Sequence, residues 1–143
     1  MYYKILIPVD LAHRAELPKL VSAARQLTSD SPHADFNFLY VDDSGVHKAG
    51  APYVDADKEK ARRQDIKDKL LALVRNLVPE DLHCFCHVRR GTIHEQILEE
   101  AKKGGADVIV MMAQKPGLSS YFVGSNAERV VRHAQCSVMV VRD

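Results

Sequence analysis

Five short apolar runs, separated by longer segments of helical periodicity, constrain the fold of this chain more than any other feature. The runs cover residues 4–9, 36–41, 83–88, 108–112 and 137–141. Short apolar runs bounded by turn residues are typical of strands that are buried on both faces. Strands that alternate with helices predict one parallel sheet joined by right-handed crossovers, with helices on both faces. We therefore expect a single, doubly wound five-stranded α/β domain over residues 1–143.

Four helices are expected between the strands. Apolar residues recur at helical spacing within residues 17–27, 61–77, 93–101 and 125–133. Pro18 suits a first helical turn, where its missing N–H is not needed. Thr92 and Glu95 have the spacing of a capping box at the start of the third helix, and Gly104-Gly105 is a stop signal at its end. Residues 42–56 and 113–124 are expected to be loops.

Composition and charge limit the classes of partner. Hydrophobic residues make up 46% and charged residues 27% of the chain, which is typical of a globular protein with a core of its own. The formal net charge of +1 gives no basic excess for nucleic acid. The first apolar run is too short for a signal peptide or a membrane span. We expect a cytoplasmic location and neither a nucleic-acid nor a membrane partner.

The segment His83-Cys-Phe-Cys-His87 contains residue types that ligate metals. In a strand, however, Cys84 and Cys86 face one side while the two histidines face the other, so the four cannot converge on one ion. Two cysteines that are two residues apart on one strand are also poorly placed to form a disulfide. We expect no metal site, and reduced thiols at Cys84, Cys86 and Cys136.

The carboxyl ends of the strands are where a ligand is expected in such a sheet, at the topological switch point. Asp10 follows the first strand and is suited to ribose hydroxyls or a metal, or to a turn. Gly124-Ser125-Asn126 precedes the last helix. This segment is suited to phosphate, because a capped helix start presents free N–H groups. On local pattern alone, a simple turn and N-cap is the favoured interpretation.

Several nucleotide and hydrolase motifs are absent from the sequence. It contains no G-x-x-x-x-G-K-[ST], no G-x-G-x-x-G and no G-x-S-x-G. P-loop, dinucleotide-binding and nucleophile-elbow proteins are therefore excluded. The third strand has no acidic residue that would serve as the phosphoacceptor of a receiver domain.

The whole chain resembles the universal stress protein family. The resemblance includes Ile5-Leu-Ile-Pro-Val-Asp10, Gly91-Thr-Ile93, Ala106-Asp-Val-Ile-Val110 and above all the closing block from Val123 to Arg142. That block is most similar to the F- and G-type bacterial branch. The resemblance implies the strand order 3-2-1-4-5 of the adenine nucleotide alpha hydrolase-like fold. It also implies a homodimer in which the C-terminal strands of two subunits pair.

The resemblance further implies an adenine nucleotide, ATP or AMP, with or without Mg²⁺. Pro8 and Asp10 would flank the adenosine, and Val41 would meet the adenine ring through its backbone. The implied phosphate contacts are Gly124, Ser125 and Asn126.

This chain departs from the glycine pattern of the nucleotide-binding members, which is G-x-x-G, nine residues, then G-[ST]. Gly124-Ser125 matches the final pair, but the earlier glycines fall on Met111 and Gln114. A side chain at 114 crowds a backbone that must approach the ligand. We expect the side chains of Gln114 and Lys115 to act as replacement phosphate donors.

Three functions remain in competition on these grounds. The first is an adenine-nucleotide-binding stress or signalling module with at most slow hydrolysis, since the sequence offers no obvious general base. The second is a dimeric interaction protein that has lost nucleotide, which the missing glycines favour. The third is an enzyme acting on a nucleotide-like substrate, supported only by Asp10. No residue is assigned a catalytic role.

Overall fold

The fold is a five-stranded parallel sheet, described here from a computed structural model that covers residues 2–44, 55–113 and 125–142. The strands are β1 (Lys4–Pro8), β2 (Asp35–Asp42), β3 (His83–Arg90), β4 (Val108–Met112) and β5 (Ser137–Val141). They are arranged in the order β3-β2-β1-β4-β5, and every neighbouring pair is parallel. The doubly wound sheet and the strand order 3-2-1-4-5 are therefore confirmed.

In the part of the chain that the structure describes, four α-helices connect the strands, as the periodicity predicts. They are α1 (Leu17–Thr28), α2 (Ala56–Leu77), α3 (Ile93–Gly104) and α4 (Ser125–His133). A 3-10 helix (Leu11–Glu16), which is not among the four predicted helices, follows β1. Helix α2 begins at Ala56, ahead of the apolar periodicity that starts at Ala61. It begins there because the Asp55 side chain accepts the N–H of Asp57 at 3.0 Å and caps the helix.

The helix ends follow the predicted signals at two places and differ at a third. Pro18 lies in the first turn of α1, and Gly105 ends α3 with a left-handed backbone at φ +65°. Thr92 is the N-cap residue of α3, but its side chain makes no capping hydrogen bond, so the predicted capping box is wrong. The first turn is closed by the backbone instead, with the N–H of Gln96 donating to the Thr92 carbonyl at 3.0 Å.

The three central strands, β1, β2 and β4, are largely buried on both faces, and their side chains alternate between two hydrophobic clusters. On the side of α1 and α2, the sheet contributes Ile5, Ile7, Phe36, Phe38, Val108 and Val110. On the side of α3 and α4, it contributes Leu6, Leu39, Val41, Ile109 and Met111. Full burial of one such side chain contributes about 1.5–3 kcal/mol. This two-sided burial explains why the strands appear in the sequence as continuous apolar runs.

The cysteine and histidine side chains of β3 lie on opposite faces, as predicted. Cys84 and Cys86 pack against the cluster on the side of α1 and α2, whereas the His87 Nε2 lies 2.9 Å from Asn37 Oδ1 on the other face. All three cysteines are free. Burial raises the pKa of Cys84 to about 11 and also raises the pKa values of Cys86 and Cys136. In the described ranges, no three His, Cys, Asp or Glu side chains are grouped as metal ligands would be.

Candidate functional site

The carboxyl ends of β1, β2 and β4 lie side by side at one edge of the sheet, because β1 pairs with β2 on one side and with β4 on the other. The chain runs outward from β1 through β2 to β3 and then returns to the opposite side at β4. The position between β1 and β4 is thus the topological switch point, where sheets of this type form a crevice for ligands.

Three of the predicted site residues lie together at this edge. Pro8 is the last residue of β1 and pairs in register with Leu39 of β2. The N–H of Val9 donates to the Leu39 carbonyl at 2.8 Å, so the pairing continues past the end of the strand. Asp10 and Val41 each come two residues after this Pro8–Leu39 pair in their own segments of chain.

Asp10 forms the turn that leads from β1 into the 3-10 helix. Its Oδ1 accepts the N–H of Ala12 at 2.9 Å, and its Oδ2 lies 2.8 Å from the Nδ1 of His13. The turn role that the sequence left open for Asp10 is therefore present in the structure. The carboxylate remains more than half exposed. Since a carboxylate accepts about four hydrogen bonds, the two oxygens keep acceptor sites for a ligand.

Helix α4 shares a buried hydrophobic cluster with β2 and β4. Ala127, in the first turn of α4, is buried with Val41 and with Met111 of β4. Asn126 is partly exposed, and Ser125 is the first residue of the helix. Because α4 follows β4 and precedes β5 in a parallel sheet, its first turn lies toward the carboxyl ends of the strands. The partial positive charge of a helix N-terminus is therefore on that side of the sheet.

The glycine pattern is interrupted at Met111 by a core side chain. Met111 is buried in β4 within the cluster that includes Ala127 and Val130. Of the other predicted phosphate contacts, Gln114, Lys115 and Gly124 lie outside the described residues.

An ion pair between the buried Asp42 at the end of β2 and the more exposed Arg62 was not predicted. The Asp42 carboxylate accepts from the Nε of Arg62 at 2.7 Å and from its Nη2 at 3.3 Å, and the N–H of Ser44 donates to it at 3.1 Å. The hydrogen bond from Arg62, together with those from Ser44, lowers the pKa of Asp42 from 3.8 to about 2, despite its burial. Asp42 directly follows Val41, which was a usable signal, but Arg62 is twenty residues further along with no local motif.

The side chain of Tyr40 lies within the field of three carboxylates at this edge. Burial is the main cause that raises its pKa, and the negative charges of Asp42, Asp43 and Asp10 raise it further. The charge of Arg62 offsets part of this field, because Arg62 is paired with Asp42. The carboxylates beside β1 and β2 favour hydroxyl and amine groups of a ligand there, whereas phosphates are better placed on the side of α4.

The turn after β3 is held by protein partners of its own. Arg89 donates to Glu100 at 2.9 Å and to Gln96 at 3.1 Å, and Arg90 is paired with Glu59. Gly91 has φ +146°, and a Cβ added there would lie 2.7 Å from the Gln96 amide. Residues 89–92 thus form the end of β3 and a tight turn, and both arginines already have protein partners.

Comparison with known proteins agrees with this fold. A model of the universal stress protein family matches residues 1–142. The chain belongs to this family. Universal stress protein G of Escherichia coli O157:H7 is 30% identical over 147 residues, which cover 99% of this chain and 100% of the relative. The predicted resemblance to the family is confirmed.

Solved structures of the family have the same fold. The structure of MJ0577, a universal stress protein of Methanocaldococcus jannaschii, has a TM-score of 0.77 at 25% identity and covers 100% of this chain and 97% of its own. An Arabidopsis thaliana member, solved with AMP bound, has a TM-score of 0.62 at 20% identity, with 98% and 91% covered. Within the described ranges, no helix of this chain has the length and apolarity needed to cross a membrane.

Proposed function

We propose that this universal stress protein is a stress-response or signalling module that binds an adenine nucleotide, ATP or AMP. The observation that carries the proposal is the arrangement of the strand ends at the switch point: Asp10 follows β1, Val41 lies near the end of the neighbouring β2, and Ala127 in the first turn of α4 belongs to the same buried cluster as Val41. A carboxylate for ribose hydroxyls and a helix N-terminus for phosphate are the two groups that a nucleotide needs at opposite ends. The AMP bound to the Arabidopsis member supports the choice of ligand.

The proposed nucleotide lies along the carboxyl edge from β2 to α4. Pro8 and Asp10 flank the adenosine, and the backbone at Val41 meets the adenine ring. The negative field around Tyr40 supports this orientation, because it disfavours phosphate on that side. The proposed phosphate contacts are Gly124, Ser125 and Asn126, with side-chain donors from Gln114 and Lys115.

Any hydrolysis is proposed to be slow, and no residue is assigned a catalytic role. Asp42, the carboxylate that the structure adds to this edge, has a pKa lowered to about 2 and is paired with Arg62. A carboxylate of such low pKa is a weak general base at neutral pH. Any Mg²⁺ would bind to the phosphates of the nucleotide rather than to Asp42.

We also propose a homodimer that forms through β5, in the cytoplasm. β5 is the last strand in the sheet order, so one side of it is an edge. The segment Val138-Met-Val-Val141 is apolar, and an unpaired apolar edge is a template for strand pairing. Pairing across a two-fold axis would cover the edges of both subunits at once.

A dimeric interaction protein without nucleotide is the second candidate. It is favoured by Met111, whose buried side chain occupies a position where the nucleotide-binding pattern has glycine. The two candidates differ in what the protein carries from the cell. The purified protein is denatured, and the supernatant is separated by ion-exchange chromatography with absorbance at 260 nm. Release of AMP or ATP in proportion to protein supports the first candidate. Protein that carries none and takes up none on dialysis against millimolar ATP supports the second.

A further inference from the structure

The imidazole of His13 lies against the carboxylate that we assign to the ribose. Its Nδ1 is 2.8 Å from Asp10 Oδ2, while the N–H of Ala12 donates to Oδ1 at 2.9 Å. Among the residues that the structure describes, each carboxylate oxygen therefore has one protein partner. Both side chains are more than half exposed, so the pair lies at the surface of the site.

The backbone holds His13 next to Asp10 as well. The N–H of His13 donates to the Asp10 carbonyl at 3.0 Å. His13 itself has φ −125° and ψ 54°, which is not helical and bends the 3-10 helix at this residue. The contact between the two side chains is thus built into a short turn. It does not depend on two long side chains meeting across the surface.

We infer that His13 is a positioning residue that orients the Asp10 carboxylate toward the two hydroxyls of a ribose. The inference rests on the proposed nucleotide function. Of about four acceptor sites on a carboxylate, Ala12 and His13 occupy one on each oxygen and leave one on each for a ligand. The carboxyl torsion of aspartate is otherwise broad, and ordering it during binding weakens the affinity. An Nδ1–H donates in the neutral tautomer and in imidazolium alike, so the restraint does not require a charged His13.

Two oriented oxygens distinguish a ribose from a 2′-deoxyribose. The 2′- and 3′-hydroxyls of ribose need one acceptor each, side by side, whereas the deoxy sugar offers a single hydroxyl to the pair. The loss of orientation therefore affects a ribonucleotide more than its deoxy counterpart. His13 is inferred to contribute to sugar specificity by orienting Asp10, without contacting the nucleotide itself.

The test compares AMP with 2′-deoxyAMP by calorimetric titration of the wild-type protein and the variants His13→Ala, His13→Asn and His13→Gln. The Asn side chain has its nitrogen bonded to Cγ, as Nδ1 is in His13, so it can donate to the same oxygen. The Gln nitrogen is one bond further away and serves as the matched control. We expect His13→Ala and His13→Gln to weaken the binding of AMP by about three- to tenfold and the binding of 2′-deoxyAMP by less than about twofold. Asn should keep most of the wild-type affinity.

Each other result overturns the inference in a recognisable way. Equal losses for both nucleotides would show a general structural effect and no role in sugar specificity. An Ala variant with wild-type affinities, or an Asn variant no better than Gln, would remove the positioning role while the proposed function stands. A wild-type protein that binds neither nucleotide would refute the proposed function and the inference with it. Unfolding midpoints are measured for all variants, and if the Ala variant does not fold, the Asn and Gln pair decides.

Discussion

Replacing Arg62 by glutamine will leave the buried carboxylate of Asp42 without its cation and destabilise the folded chain. Only 8% of the Asp42 side chain is exposed, and Arg62 donates to both of its oxygens. Within the described ranges, the N–H of Ser44 also donates to that carboxylate. Removing one partner of a buried pair leaves the other charge poorly solvated, which makes such a change more damaging than loss of a surface pair.

The size of the effect follows from the pKa of Asp42. The hydrogen bond from Arg62 is the largest cause that lowers this pKa from 3.8 to about 2. A difference of this size between the unfolded and folded chain corresponds to about 2 kcal/mol at neutral pH. Because 56% of the Arg62 side chain is exposed, solvent screens part of that interaction. We therefore expect Arg62→Gln to lower the free energy of unfolding by about 1–2 kcal/mol.

The pH dependence of this prediction has a definite sign. The folded pKa is lowered, so the stabilisation is fully present above the unfolded value of 3.8 and is lost as the pH falls through about 2. At pH 3 about half of it should remain. The difference between wild type and Arg62→Gln should therefore be larger at pH 7 than at pH 3.

Urea denaturation at pH 7 and pH 3 measures this difference. Lys69→Gln is the matched control, because Lys69 pairs with Asp65 on the same helix α2 with both side chains about two-thirds exposed. The control should change the free energy of unfolding by less than about 0.5 kcal/mol at either pH. The reasoning is refuted if Arg62→Gln behaves like Lys69→Gln. It is also refuted if carbon-detected NMR shows Asp42 titrating near 3.8 in the wild type.

Three further predictions concern a turn, the thiols and the sheet edge. Gly91→Ala should destabilise the chain by about 1–3 kcal/mol in thermal melts, because its φ is +146° and a Cβ meets Gln96 at 2.7 Å. Gly104→Ala, where a Cβ has ordinary contacts, should be neutral or stabilising by up to about 1 kcal/mol, and equal effects would contradict this account. Cys84, with its pKa raised to about 11, should react slowly with a disulfide reagent at pH 8 in the native protein and fully after denaturation; fast native reaction would show the thiol accessible and ionised. Val140→Lys should shift a dimer seen by light scattering to monomer, and a wild-type monomer at micromolar concentration would refute the proposed dimer.

Strands β1 and β4 could be predicted from the sequence because their side chains are buried on both faces of the sheet. In β1 and β4 every second side chain enters one cluster and the next enters the other, so the run contains no polar residue until the strand ends. The start of α2 was harder to predict. Its first turns are charged and exposed, so they show no apolar periodicity. The helix begins there because of the capping contact of Asp55, which a search for periodicity does not detect.

The site was predictable only where its residues directly follow a strand. Asp10 and Val41 could be found because the end of a parallel strand is a known location for ligands. The contact of Asp10 with His13 depends on a bend that no local pattern announces. The pair of Asp42 and Arg62 depends on how α2 packs against the end of β2, and two residues twenty positions apart carry no shared motif.

Calorimetric titration of AMP and ATP into the wild-type protein and into Asp10→Ala tests the central claim most directly. The account predicts saturable binding of one nucleotide per chain to the wild type. It also predicts that Asp10→Ala weakens the binding of AMP and of ATP by a similar factor, on the order of tenfold, because the proposed contact is to the sugar that both share. Unfolding midpoints of both proteins control for folding. No heat and no amide chemical-shift change up to millimolar nucleotide in the wild type, or equal affinities for wild type and Asp10→Ala, would contradict the claim.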